Sequence, residues 1–86
     1  MSYIVQYKSQ SLENLEKLDR QIQSRIIEKI IWLAENFGEI TPFSLTANLA
    51  GVYKLRVGDY RIIYEFSAVD ENITILKIGH RSEIYG

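Results

Sequence analysis

Apolar residues along this chain change their period part-way through. Tyr3-Ile4-Val5-Gln6-Tyr7 is a run of aromatic and β-branched residues and predicts a first strand. Behind Ser11, a suitable helix N-cap, Leu12, Leu15 and Leu18 make a short helical stripe. Behind Asp19, a second candidate cap, Ile22, Ile26, Ile30, Leu33 and Phe37 recur at spacings of four and three. Ile27, Ile31 and Ala34 widen that stripe, and Gly38 follows it where a C-terminal cap belongs. The two stripes predict a helical hairpin that lays one apolar face on a sheet.

Residues 39–51 have no period and include the only proline, Pro42. They read as a loop, with a short turn over 45–49. Beyond them the period falls to two. Residues 52–57 and 60–66 flank Gly58-Asp59, a two-residue hairpin signal. Residues 67–72 are polar and read as a loop. Residues 73–78 are apolar enough for a central strand, and 79–86 close the chain with a short last strand. The predicted order is β-α-α-β-β-β. It describes one α+β domain over 1–86, with the helical hairpin on one face of a mainly antiparallel sheet.

Composition narrows the chemistry. The 86 residues are 47% hydrophobic and 24% charged, the balance of one ordinary globular domain. No apolar run approaches the ~20 residues of a membrane span, and Met1-Ser2-Tyr3-Ile4 does not open a secretory signal. A cytoplasmic location with no membrane partner is the expectation. With no Cys and one His, a disulfide scaffold, a thiolate nucleophile, a Cys-ligated zinc and a His-rich metal site are excluded. The formal net charge is −1, so the chain is not a general polyanion binder. The distribution is uneven, however. The acids of the first half include Glu13, Glu16, Asp19, Glu28, Glu35 and Glu39, whereas between Lys54 and Arg61 three cations meet one acid, Asp59.

The hairpin turns that unevenness into a candidate site. Side chains alternate faces along a strand, and directly opposed partners point the same way. A Gly58-Asp59 turn pairs Val57 with Tyr60, Arg56 with Arg61 and Leu55 with Ile62. One face then carries Tyr53, Leu55, Val57, Tyr60, Ile62, Tyr64 and Phe66, a core face. The other carries Lys54, Arg56 and Arg61. Opposed like charges cost up to about 1 kcal/mol. Paired guanidinium groups that lack a stability reason to meet suit a phosphate. A solvated face balanced by Glu65 remains the plain alternative.

Tyr53-Lys54-Leu55-Arg56-Val57-Gly58-Asp59-Tyr60-Arg61-Ile62-Ile63-Tyr64, followed by Ile78-Gly79-His80-Arg81-Ser82-Glu83-Ile84-Tyr85, resembles the RelE/ParE toxin superfamily, its RelE-like branch most. The Leu49-Ala50-Gly51 step before the hairpin agrees. The resemblance implies a RelE-like fold and a toxin of a type II toxin–antitoxin pair. The implied activity is that of a metal-independent, cofactor-free endoribonuclease, an mRNA interferase. It would cleave mRNA in the ribosomal A site by attack of the substrate's own 2′-OH. The implied partners are a cognate antitoxin, the ribosome and mRNA, with operator DNA met only through the antitoxin complex. Lys54, Arg56, Arg61, Arg81 and Tyr85 match catalytic positions, and His80 a substrate-binding one. Within the same superfamily, a ParE-like inhibitor of DNA gyrase and an inactive antitoxin-binding member are the alternatives. Arg61 pairing with Glu65, Arg81 pairing with Glu83, Tyr85 at the core edge and His80 as an exposed strand end are the bland readings of those residues.

Overall fold

The computed structural model describes residues 2–39, 43–44 and 51–85, with Phe43, Ser44, Ile84 and Tyr85 given by backbone alone. In chain order it forms β1 (Ile4–Tyr7), α1 (Ser9–Glu16), α2 (Arg20–Asn36), a 3₁₀ turn (Phe37–Glu39), β2 (Phe43–Ser44), β3 (Tyr53–Val57), β4 (Tyr60–Ser67), β5 (Asn72–His80) and α3 (Arg81–Tyr85). The strands make one sheet in the order β1-β5-β4-β3-β2. Only β1 and β5 run parallel. The other pairings are antiparallel, so the sheet is mainly antiparallel, as predicted.

α2 forms where its stripe predicts. Asp19 caps it, its carboxylate accepting the Ile22 N–H at 3.0 Å. Ile26, Ile30, Leu33 and Ala34 are buried against Ile62, Tyr64, Ile73, Ile75 and Ile78 of β4 and β5. Each fully buried Ile or Leu contributes about 1.5–3 kcal/mol. At one end of this core, Phe37 packs on Tyr3 (ring centroids 4.8 Å apart) and Phe66 (4.5 Å), while Tyr53 packs on Tyr64 (5.9 Å).

Several local expectations are corrected. Ile27 and Ile31 are exposed, because a helix lying on one face of a sheet buries one stripe and these two lie outside it. Leu12 is exposed as well. Ser11 is not the N-cap of α1. The helix starts at Ser9, and the buried Ser11 hydroxyl donates back to the Lys8 carbonyl at 2.7 Å. Gly38 does not end α2 in a left-handed turn, since the chain tightens into the 3₁₀ turn instead. Within the predicted loop, Phe43–Ser44 adds an edge strand beside Lys54 and Tyr53. The expected turn over 45–49 lies outside the described residues. The predicted last strand is absent: β5 runs through His80, and Arg81–Tyr85 turn into a helix. His80 drives this change, because its Nδ1 accepts the Ser82 N–H at 3.2 Å and so caps α3.

One irregularity sets which side chains face where. β4 and β5 pair without a break from Tyr60↔His80 to Ile63↔Lys77, and again from Tyr64↔Ile75 onward. Leu76 is the extra residue of a β-bulge. The insertion reverses the parity of β5. Ile73, Ile75, Ile78 and His80 share the helix side with Val5, Tyr7, Tyr60, Ile62 and Tyr64, and Thr74, Lys77 and Gly79 share the other.

Burial, and secondarily the charge on Tyr53, push the Tyr64 hydroxyl up from 10.0 to about 12, and burial raises Tyr7 as well. The unfolded chain ionises first. Stability is therefore full below about pH 10 and falls as pH rises toward 12. Urea midpoints measured from pH 9 to about 12 should drop along that window, and Tyr64→Phe should flatten the drop. An unchanged slope in that variant would remove Tyr64 from the account.

Candidate anion-binding site

The site is built around a two-residue turn. Gly58 has φ +57°, a left-handed conformation that suits the first central residue of a type II′ hairpin turn. The register that follows is the one the sequence predicts: Val57↔Tyr60, Arg56↔Arg61 and Leu55↔Ile62. A Cβ at Gly58 would meet Nη2 of Arg25, from α2, at 3.2 Å, so the turn is crowded as well as conformationally demanding.

Arg56 and Arg61 sit directly opposed on the sheet face turned away from α1 and α2, with Lys54 on the same face one row along. Opposed Cβ atoms in such pairs are about 4.5–5.5 Å apart. The two arginines are nevertheless unlike. Arg56 is exposed, whereas Arg61 is 5% exposed and curls back over the turn. Its Nη1 donates at 2.9 Å to the carbonyl of Gly58 and at 2.9 Å to that of Tyr60. Arg61 therefore holds the turn as well as contributing charge. Lys54 is half-buried, between Phe43 of β2 and Ile63 of β4.

Arg81 opens α3, and its N–H donates to the Asp59 carbonyl at 2.7 Å, which brings the end of the chain to the same turn. The Arg81 side chain is exposed. His80 is not brought to the cationic face. Its register partner is Tyr60, its ring meets the Tyr60 ring edge-on at 5.5 Å, and its Nδ1 lies 2.9 Å from the Ser82 hydroxyl. The side chain of Tyr85 lies outside the described residues, as do Leu49 and Ala50 of the step before the hairpin. Tyr53, Tyr60 and Tyr64 pack on or within the core, as the alternation predicts.

Lys77 is the residue that the sequence pattern hides. The bulge puts it on the cationic face, opposite Ile63 and diagonal to Arg61, with Gly79 placing no side chain between. The strands thus present Lys54, Arg56, Arg61 and Lys77 on one side, and the only acidic strand residue described on that side is Glu65. Clustered cations beside donors of fixed geometry can hold a phosphate and stabilise charge that develops on its oxygens.

Comparison with known proteins decides the family. The family model described as ParE toxin of the type II toxin–antitoxin system parDE matches residues 5–85. The chain belongs to the RelE/ParE toxin superfamily. It is similar to toxin RelG of Mycobacterium tuberculosis, 28% identical over 91 residues that cover 99% of this chain and 98% of the relative. A RelE-like toxin protein of Escherichia coli is 29% identical over 94 residues, covering 99% and 92%. Among solved structures, a chain of the RelBE toxin–antitoxin complex of Mycobacterium tuberculosis superposes with a TM-score of 0.83 at 25% identity, over 95% of this chain and 94% of the other. The chain is therefore a RelE/ParE-type toxin of a type II toxin–antitoxin system, with the RelE-like α+β fold.

Two stability predictions follow from the turn. Gly58→Ala should cost about 1–2 kcal/mol, because the left-handed φ penalises any Cβ and Arg25 must move. Arg61→Met should cost a similar amount, about 1–2 kcal/mol: two charged hydrogen bonds are lost, against a smaller gain from relieving Arg56. Urea unfolding measures both, and an Arg61→Met chain as stable as the parent would show that the guanidinium does not hold the turn.

Proposed function

We propose that this toxin cleaves mRNA on the ribosome by attack of a 2′-OH on the adjacent phosphorus, and that a cognate antitoxin binds it and blocks the reaction. The observation that supports this most is the direct opposition of Arg56 and Arg61 beside Lys54, on a face where a phosphodiester would relieve their repulsion. In the reaction a bond forms between O2′ and phosphorus while the bond from phosphorus to O5′ breaks. The proton leaves the 2′-OH and O5′ gains one, giving a 2′,3′-cyclic phosphate and a 5′-OH. Charge accumulates on the non-bridging oxygens as the phosphorus becomes five-coordinate. Arg56 and Arg81 are exposed and would bind those oxygens, with Arg61 beneath them adding fixed charge. Lys54 would stabilise the attacking oxygen or take its proton. Tyr85 would stack on a base or orient the leaving group. His80 serves this reading by capping the helix that begins at Arg81, not by touching substrate.

A ParE-like action on DNA gyrase is the second reading. The description of the matching family and the net charge of −1, which gives little long-range steering toward RNA, favour it. An antitoxin partner fits both readings, since several similar structures are toxin–antitoxin complexes.

Induced expression followed by primer extension on translated mRNA separates them. Cleavage within translated messages is expected. It should fall about 10²–10³-fold in Arg56→Ala, the size of effect that follows removal of one preorganised stabilising group. Intact messages together with inhibition of gyrase supercoiling by the purified chain would replace the first reading with the second. Intact messages, active gyrase and a tight antitoxin complex would leave an inactive, antitoxin-binding member.

A further inference from the structure

The β-bulge at Leu76 changes which face of the sheet the second half of β5 presents. Ile73 and Ile75 face the helices, so unbroken alternation would send position 77 the same way, placing an ammonium group in the core and turning Ile78 out of it. One inserted residue avoids that and turns Lys77 onto the opposite face. There it is partly buried, opposite Ile63, and joins a face that already carries Lys54, Arg56 and Arg61. Adding a fourth cation to such a face works against stability, as opposed like charges do.

The bulge is pinned at both ends by one stretch of chain. β1 stops at Tyr7, and the Lys8 N–H makes a last link to the Ile75 carbonyl at 2.9 Å. Among the described residues, no strand flanks β5 on its β1 side beyond that point. α1 takes over: Asn14 Oδ1 accepts the Ile78 N–H at 3.1 Å, across 64 positions of sequence. Lys8 and Asn14 thus hold the backbone immediately before and after Leu76-Lys77.

We propose that Lys77 binds a phosphate of single-stranded RNA, that of the nucleotide adjoining the scissile one, and that Asn14 is the positioning residue that keeps Lys77 on the RNA side of the sheet. This rests on the RNA-cleaving reading above. The separation fits the neighbouring phosphate. Lys54 and Lys77 flank Ile63 with one strand between them, so their α-carbons are about 10 Å apart. Side chains extended at that spacing suit two consecutive phosphates of an extended strand. Ile63, 6% exposed, lies between them in the register.

Fluorescence anisotropy with a short single-stranded RNA that carries 2′-O-methyl groups throughout, and so resists cleavage, tests this over a range of salt. Lys77→Ala should weaken binding several-fold and lower the slope of log affinity against log salt by about 0.7, the release of one counterion from a single strand. Lys77→Arg should keep the slope. Asn14→Ala should lose the same slope as Lys77→Ala and add nothing when combined with it. Asn14→Asp, which keeps the acceptor oxygen, should restore it. An unchanged slope in Lys77→Ala, beside a reduced one in Arg56→Ala, would overturn this proposal and leave the RNA-cleaving reading standing. A slope unchanged in Asn14→Ala while its stability falls would reduce Asn14 to a structural residue. If the unsubstituted chain shows no salt-dependent binding, or if Arg56→Ala too leaves it unaltered, this proposal falls, and primer extension on translated mRNA decides the RNA-cleaving reading separately.

Discussion

A turn of two residues is the constraint on which the candidate site depends. Gly58 supplies a backbone conformation that other residues adopt at a cost, and the short turn leaves β3 and β4 one register. A one-residue slip would move every side chain of one strand to the other face. The same turn is also a meeting point. Its first carbonyl accepts from Arg61, its second accepts from the Arg81 backbone, and Arg25 lies against its open side. The opposition of Arg56 and Arg61 carries a penalty of a few tenths to about 1 kcal/mol, which hydrogen bonds from Arg61 to main-chain carbonyls offset.

Much of this is legible in the sequence. The Gly-Asp pair and the period-two alternation around it define the register of Arg56 and Arg61, because turn type and side-chain parity are local properties. The α2 stripe is likewise local. What stayed hidden depends on tertiary context. Lys77 looks like a core-side residue until the bulge is known, and nothing about Leu76 marks it as the extra residue. Ile27 and Ile31 look like core until the sheet is seen to cover only one stripe of the helix. The closing segment is too short to show a period, so a five-residue helix and a short strand are indistinguishable there. Its direction is decided by the His80 ring, which turns back to the Ser82 backbone.

The family fixes the scaffold more firmly than the chemistry, since one fold hosts different activities and activity belongs to the site. The global charge of −1 is a poor guide to that site. It averages a mixed helical surface with a sheet face on which Lys54, Arg56, Arg61 and Lys77 outnumber Glu65. A ligand that approaches closely meets this face at short range, where local charge matters more than the total at a Debye length of about 8 Å.

The parallel contact between β1 and β5 has a temporal consequence. Val5 finds Ile73 and Tyr7 finds Ile75, so the opening strand of the chain waits for nearly the whole sequence before it has a neighbour. Pairings this distant along the chain are slow to close and are absent from any partly synthesised product. A nascent copy still in the exit tunnel has the hairpin unpaired from β5, Arg81 undelivered and the cationic face unassembled. The cationic face therefore assembles late, only once β5 has closed on both of its neighbours.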